Sequence, residues 1–311
     1  MLSVSSAPHI RSRENTRDVM FDVIIALIPC IVAGLVFFGF RVVLLLAISV
    51  CSCLLFEWLS CFVFRMKTSI WDLSAIVSGI ILTMLLPPTV PLWIPVMGSF
   101  FMIVIVKMCF GGIGQNFVNP AATGWAFLMI CFPVIMTSFS APFSHLSILG
   151  NNFLASPTPL SLAKADSGLD YLPSYLSLYF GSVSGAIGVT SGLAIIIGFL
   201  YLLWRKVISW ETSLIYVAIV AVLTLAFGKD PLFHILSGSL LFGAVFLATD
   251  PTTTPLSKLG KCIFAAGLGL LTVCFRLFSS FPEGVCFSII LMNLLVPYID
   301  KIKPRRFGGR T

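Results

Sequence analysis

Long apolar stretches separated by short polar segments dominate this sequence. They run for about 16–23 residues and do not alternate between apolar and polar positions. A helix needs ~20 such residues to cross the hydrocarbon core, whereas a barrel strand needs ~10 that alternate. The pattern therefore predicts an all-α polytopic membrane protein with about ten transmembrane helices. We place them near residues 19–39, 42–64, 70–86, 94–110, 121–139, 185–204, 213–228, 232–248, 261–279 and 285–300.

The composition agrees with a protein that is solvated by lipid. Of its 311 residues, 58% are hydrophobic and 10% are charged, against about 25% charged residues in a typical soluble domain. The first apolar run, residues 19–39, is long enough to span and follows a basic segment, so we expect a first transmembrane helix rather than a signal peptide. The nine cysteines form no C-x-x-C pair and the three histidines are scattered, and we assign no metal site.

The positive charges predict the orientation. With ten spans and a cytoplasmic N-terminus, fourteen Lys and Arg residues fall inside and only Arg41, Lys164 and Lys229 fall outside. This asymmetry follows the positive-inside rule. It predicts a cytoplasmic segment at residues 1–18, an extracytoplasmic loop at 140–184 and a cytoplasmic basic tail at 301–311. Because the charges flank membrane helices, they do not indicate nucleic-acid binding.

An internal similarity suggests two related halves. The stretch IVSGIIL at residues 76–82 resembles ILSGSLL at 235–241, and each leads into a Pro/Thr-rich break, LLPPTVPL at 85–92 and ATDPTTTPL at 248–256. Five spans in each half would place the second copy in the opposite orientation. We predict inverted repeats at 19–139 and 185–300, an arrangement in which transporter sites lie between the halves.

Several polar positions within this apolar chain are candidates for function. The loop at residues 111–121, GGIGQNFVNPA, either approaches a cofactor or ion or simply makes a tight helix connection. The segment at 181–192, GSVSGAIGVTSG, either packs helices closely or forms a polar niche with Thr190 and Ser191. Among the acids we favour Glu57 and Asp250 for an ion path, because charges in a bilayer are costly. Helix capping or salt bridges are the alternatives.

Five stretches together resemble a known family. They match the membrane proteins that include the D subunits of Rnf ion-translocating electron-transport complexes and the B subunits of the sodium-translocating NADH:quinone oxidoreductase. Their order and spacing cover almost the whole chain. The quinone-linked relatives usually carry a longer N-terminal extension than this sequence shows, which favours the Rnf branch. The stretches are SAPHIRSRENTRDVMFDV (6–23), FGGIGQNFVNPA (110–121), GSVSGAIGVTSG (181–192), ATDPTTTPLSKLGK (248–261) and RLFSSFPEGVCFSIILMN (276–293).

The resemblance implies a fold and a cofactor. Members have two inverted halves in a urea-transporter-like architecture, and they carry FMN joined through its phosphate to a threonine on the extracytoplasmic side. Here the matching threonine is Thr158, in ASPTPL. The family pattern D-x-x-S/T-G-A-T is altered in this chain, with Pro157 in place of Ala. Val189 also stands where the family leads us to expect Glu, so any ion passage must use another group.

The same resemblance implies a role within a complex. Electrons would pass between ferredoxin and NAD⁺ through partner subunits A, B, C, E and G of an Rnf-type assembly, while Na⁺ or H⁺ crosses a bacterial inner or plasma membrane. A flavin transferase would attach the FMN, and a second, non-covalent flavin between the halves is a further expectation. The protein is not catalytic alone. Three alternatives remain: a protein like the quinone-linked B subunits, a small-solute transporter of the same fold, and a scaffold without a cofactor.

Overall fold

The computed structural model of the protein describes residues 15–65, 70–144, 155–165, 172–279 and 283–302. Most of the predicted N-terminal segment and basic tail, and parts of the 140–184 loop, lie outside the described residues. The described residues form helices and one isolated antiparallel bridge, between Ser140 and Ala155. The helices are α1 (Thr16–Phe38), α2 (Arg41–Val63), α3 (Ser74–Leu85), α4 (Trp93–Phe100), α5 (Pro120–Cys131), α6 (Pro133–Met136), α7 (Pro159–Lys164), α8 (Tyr175–Phe180), α9 (Gly192–Trp204), α10 (Trp210–Ala226), α11 (Pro231–Leu236), α12 (Leu240–Phe242), α13 (Lys258–Phe278) and α14 (Val285–Ile299).

Three of these helices are long and apolar enough to cross a membrane, namely α1, α2 and α13. Six further apolar helices are 10–17 residues long. One of them joins α4 to the π-helix Phe101–Met108, and α12 likewise continues into a π-helix, Gly243–Leu247. Within the described residues, the prediction of an all-α protein with several apolar helices is confirmed.

Several predicted spans are shorter or more broken than their hydrophobicity suggested. The span predicted at 185–204 becomes helical only at Gly192, after an irregular segment that starts at Gly181 with φ +100°. The span predicted at 232–248 is interrupted between α11 and α12, where Gly238 has φ +68°. Glycine adopts such conformations without a Cβ clash, so these apolar segments bend where hydropathy alone predicts continuous helix.

The two halves of the chain pack against each other through matching pairs of helices. Across the halves, α1 packs along α9 and α5 packs along α14. Within the first half α2 packs on α3 and α4, and within the second half α10 packs on α11 and α13. Small residues permit the closest contacts: an ideal Cβ on Gly198 of α9 would lie 2.4 Å from the carbonyl oxygen of Ala26 in α1.

Candidate functional site

Thr158 begins helix α7 and its side chain is almost fully buried. Its Oγ1 accepts a hydrogen bond of 3.2 Å from the backbone N–H of Ser161, the usual role of a threonine at a helix N-cap. Pro159 occupies the first helical position, where its missing N–H costs nothing. The sequence ASPTPL therefore forms a capped helix start that fixes the threonine hydroxyl in one place.

The segment carrying Thr158 is tied to the rest of the protein at several points. Ser184 donates its hydroxyl hydrogen to the carbonyl oxygen of Pro157. The backbone N–H of Ser156 donates to Phe139 O at 2.9 Å. At the far end of α7, Lys164 Nζ donates to Ser279 O at 2.6 Å. These contacts hold the segment against the irregular 181–191 stretch and the end of α13.

Thr158 lies in the wall of a small polar cleft, which we call the Thr158 cleft. Its volume is about 20 Å³. The hydroxyl groups of Thr190 and Ser237 are buried and have no hydrogen-bond partner among the described residues. Of the two residues of the predicted niche, Thr190 lines this cleft, whereas Ser191 caps α9 by accepting from Ala194 N at 3.3 Å. The walls are formed by Thr158, Pro159, Leu160, Leu178, Val183, Ser184, Gly185, Ala186, Val189, Thr190, Leu236, Ser237, Gly238 and Glu283.

Charged groups lie around the Thr158 cleft. Burial raises the pKa of the Glu283 carboxyl, while hydrogen bonds from Ser239 and the positive charge of Arg276 act in the opposite direction. Burial also lowers the pKa of Lys164, and repulsion from Arg276 adds to that shift. Arg276 is buried and donates to the carbonyl oxygens of His234 and, at 3.0 Å, Ser237. Val189, where the family resemblance suggests an acid, lies in the same cleft as Glu283.

A second polar space, the inner cavity, lies between the two halves and contains Asp250. Its volume is about 70 Å³, enough for a few water molecules. Asp250 Oδ2 accepts a hydrogen bond of 2.9 Å from Thr252 Oγ1 and lies 3.5 Å from Asn119 Nδ2. Asn116 Nδ2 reaches Thr252 Oγ1 at 3.4 Å. Amide groups from the first half thus meet the TDPTT break of the second.

The glycine-rich loop brings those amides to the inner cavity. Gly111, Gly112 and Gly114 have φ values of +111°, +97° and +85°, which L-residues with side chains rarely adopt. Asn119 then caps α5 by accepting from Ala122 N at 3.1 Å. The tight-connection interpretation is confirmed, and the loop also places polar groups beside Asp250.

Glu57 is fully buried and belongs to an ion pair beside the inner cavity. Lys107, on the π-helix that follows α4, donates to Glu57 Oε1 at 2.6 Å and to Ser74 Oγ at 2.7 Å. Lys107 and Ser74 line the inner cavity, whereas Glu57 lies behind them. The structure therefore brings Glu57 and Asp250 to one region and places Thr158 in a different one. The salt-bridge alternative for Glu57 is confirmed.

A larger open space, the vestibule, adjoins the inner cavity. Its volume is about 630 Å³, within the range of ligand pockets. It shares five wall residues with the inner cavity, and its other wall residues include Asn15 and Asp300. The shared residues are Val19, Met20, Ile113, Pro251 and Thr252.

Sequence reasoning assigned no role to Lys107, Arg276 or Ser237. The signal for the first two was present, because a cation inside an apolar run is costly and needs a partner. Ser237 carried no such signal, since its position depends on the break between α11 and α12. Among the described residues, no group of three or more His, Cys, Asp or Glu side chains is arranged to hold a metal ion.

Comparison with known proteins gives a consistent result. The family model described as "NQR2, RnfD, RnfE family" matches residues 3–308. The chain is 42% identical to the D subunit of the Na⁺-translocating ferredoxin:NAD⁺ oxidoreductase complex of Acetobacterium woodii, over all of this chain and 96% of that one. It is 37% identical to the D subunit of the proton-translocating ferredoxin:NAD⁺ oxidoreductase complex of Clostridium ljungdahlii, over 100% of this chain and 97% of that one. The D subunit of an ion-translocating oxidoreductase complex from Actinobacillus succinogenes is 33% identical, over 99% of this chain and 98% of that one.

Proposed function

Because the chain belongs to the NQR2, RnfD, RnfE family, we propose that it is the D-type membrane component of an Rnf-type ion-translocating ferredoxin:NAD⁺ oxidoreductase complex. The observation that carries this proposal is the similarity to D subunits over the full length of both chains. The protein acts within an assembly with subunits A, B, C, E and G, and it couples electron transfer to the passage of Na⁺ or H⁺.

The proposed architecture is ten spans in two inverted, urea-transporter-like halves. The helix contacts support it. In the first half α2 packs on α3 and α4, and in the second half α10 packs on α11 and α13 in the same way. The pairs α1–α9 and α5–α14 each join equivalent helices of the two halves. An odd number of spans per half makes the repeat inverted.

The proposed orientation, in a bacterial inner or plasma membrane with both termini cytoplasmic, rests on the positive charges. Contacts between loops support the predicted grouping of segments on each face. Lys164 contacts Ser279, and Tyr175 Oη donates to Asp230 Oδ2 at 2.5 Å; all four lie on the predicted outer side. Leu256 N donates to Asp300 Oδ1 at 3.2 Å on the predicted inner side. Each contact joins segments that the positive charges had assigned to the same face.

We assign covalent FMN, attached by a flavin transferase, to the Thr158 hydroxyl. The residues present fit such a group, because the adjoining cleft contains two buried hydroxyls without partners and the nearby charges of Lys164 and Arg276. When bound, the flavin would supply one- and two-electron transfer, and the protein supplies position and electrostatics. The contacts of Ser156, Pro157 and Lys164 hold the attachment point against the body of the protein.

The vestibule and inner cavity form the second part of the proposal. A non-covalent flavin between the halves would bind in the vestibule, whose size suits a ligand. The inner cavity beyond it would receive the coupling ion at Asp250, where the carboxylate lies beside the Thr252 hydroxyl, and oxygen ligands of these kinds suit a hard cation. Glu57, paired with Lys107, would set the charge at the inner end of this path.

Flavin fluorescence of the denatured protein tests the cofactor assignment. Under ultraviolet light the wild-type band should fluoresce in a gel, and Thr158→Val should abolish the signal because it lacks the acceptor oxygen. Ser156→Ala, two residues away in the same segment, is the matched control and should keep the signal. A dark wild-type band would refute covalent attachment.

Ion uptake by inverted vesicles tests the coupling assignment. With reduced ferredoxin and NAD⁺ supplied, Asp250→Asn should reduce Na⁺ or H⁺ uptake per NADH formed, since it removes the carboxylate in the inner cavity. Asp230→Asn changes an acid on the predicted outer surface and should leave that ratio unchanged. Equal ratios in wild type and Asp250→Asn would exclude Asp250 from the path.

A further inference from the structure

The unpartnered hydroxyls beside Thr158 require an acceptor. Thr190 is 5% exposed and Ser237 is 1% exposed, and neither hydroxyl has a hydrogen-bond partner among the described residues. Buried hydroxyl groups are nearly always hydrogen-bonded, because leaving one unpaired is costly. Two such groups in the walls of one cleft indicate that the cleft receives a group able to accept hydrogen bonds.

Backbone N–H groups in the same wall also lack acceptors. The residues Ser184, Gly185 and Ala186 line the cleft, and their N–H groups donate to no acceptor among the described residues. An ideal Cβ on Gly185 would lie 3.0 Å from Thr190 Cγ2, so glycine keeps the space next to that hydroxyl open. N–H groups left free in this wall are candidate donors to an anion.

The nearby charges also favour a monoanion. Two basic residues, Arg276 and Lys164, and one acidic residue, Glu283, lie around the cleft, which gives a formal net charge of +1. Gly238 lies beside two of them, since an ideal Cβ there would lie 3.1 Å from both Arg276 Nη2 and Glu283 Oε1. Glu283 is itself hydrogen-bonded by Ser239. The hydroxyls of Thr190 and Ser237 are left for a ligand.

The size of the cleft decides which part of a flavin ester can enter it. Its volume of about 20 Å³ has room for roughly one to two water-sized groups, which excludes the three-ring flavin. A phosphodiester carries a single negative charge and two free oxygen atoms that accept hydrogen bonds. We propose that the Thr158 cleft is the phosphoryl subsite of the flavin ester, with Thr190, Ser237 and the 184–186 backbone as donors to those oxygens.

This assignment rests on the proposed ester at Thr158 and places the ring outside the cleft. The donors then shield the phosphoryl group and fix the direction in which the tether leaves the protein. Thr190 and Ser237 are positioning residues in this scheme, because they hold the tether and do not contact the ring.

Protection of the ester from cleavage provides the test. The detergent-purified complex is treated with a phosphodiesterase that releases FMN from the denatured protein, and release is followed by fluorescence. Occupancy is first set equal between samples by intact mass. Thr190→Val and, separately, Ser237→Ala should each accelerate release from the native protein at least tenfold, and all variants should react equally after denaturation.

Two matched controls come from buried hydroxyls outside the cleft. Thr212 and Ser140 also have unpartnered, buried hydroxyl groups, so Thr212→Val and Ser140→Ala should release FMN at the wild-type rate. Unchanged release in both cleft variants, or equal acceleration in the controls, would overturn the subsite. A wild-type mass without FMN would instead refute the ester itself. A phosphorus-31 signal that persists in Thr158→Val would identify a lipid headgroup or free phosphate as the occupant, and would also overturn the assignment.

Discussion

Replacement of Lys107 by methionine is the sharpest test of the buried charges. The Lys107 ammonium lies 2.6 Å from Glu57 Oε1, and the two side chains are 3% and 0% exposed. Methionine keeps most of the side-chain volume and removes the charge. The variant therefore removes the positive member of a buried ion pair and leaves the packing nearly unchanged.

The expected magnitude follows from this burial. Removing one partner of a buried ion pair costs about 3–5 kcal/mol, whereas replacing both partners with uncharged groups is often nearly neutral. We expect Lys107→Met to lower the free energy of unfolding by about that amount. The double variant Lys107→Met with Glu57→Gln should recover most of the loss, since no uncompensated charge then remains.

Unfolding of the purified protein in detergent, followed by temperature or by titration with denaturing detergent, measures these differences. The control is the pair Lys258–Glu211, at 3.4 Å, in which the lysine side chain is 88% exposed. Exposed pairs contribute about 0–1 kcal/mol, so Lys258→Met should have little effect. The reasoning fails if Lys107→Met costs no more than Lys258→Met, or if adding Glu57→Gln deepens the loss.

Two further substitutions test packing and titration. Gly198→Ala should lower the free energy of unfolding by about 1–3 kcal/mol, because its Cβ would clash with the Ala26 carbonyl. Gly192→Ala, in the same helix, is the control: its Cβ has room, so thermal unfolding should show a neutral or stabilising effect. Because burial raises the pKa of Glu283 above 4.5, the folded protein binds that proton more tightly and loses stability as pH rises from about 4.5 through the raised pKa. Glu283→Gln should remove this decrease from a plot of melting temperature against pH. Parallel plots for the wild type and the variant would contradict the prediction.

The helices were predictable because lipid imposes a simple rule on the sequence. A spanning segment must satisfy its backbone internally and present apolar side chains to the membrane. The runs at 19–39 and 42–64 consequently coincide closely with α1 and α2. The sequence also offered candidates for function, Thr158 from the family resemblance and the acids Asp250 and Glu57 from the cost of charge in an apolar setting, and their roles stay predictions.

The breaks in the helices and the contacts between halves were not predictable in the same way. Hydropathy cannot distinguish an apolar helix from an apolar segment that turns at Gly181 or Gly238. Lys107 stands 50 residues from Glu57 in the chain, and no local pattern states that α2 lies beside the π-helix. Ser237 lies at the break between α11 and α12, and only the folded structure shows that its hydroxyl lacks a partner and lies in the same cleft as Thr158.

Both polar regions lie beside a broken segment of the second half. A break within lipid must be sheltered by protein, and here Asn119 faces the break at Asp250 while the 181–191 segment covers the end of α3. Helix α3 touches both places. Its residues Ser74 and Val77 line the inner cavity, and its C-terminal carbonyl groups accept hydrogen bonds from the segment that lines the Thr158 cleft. Gly188 N donates to Met84 O at 2.9 Å. Since the two sites share no wall residue, any direct mechanical link between the proposed flavin and the proposed ion site within the described residues would run most simply along this helix.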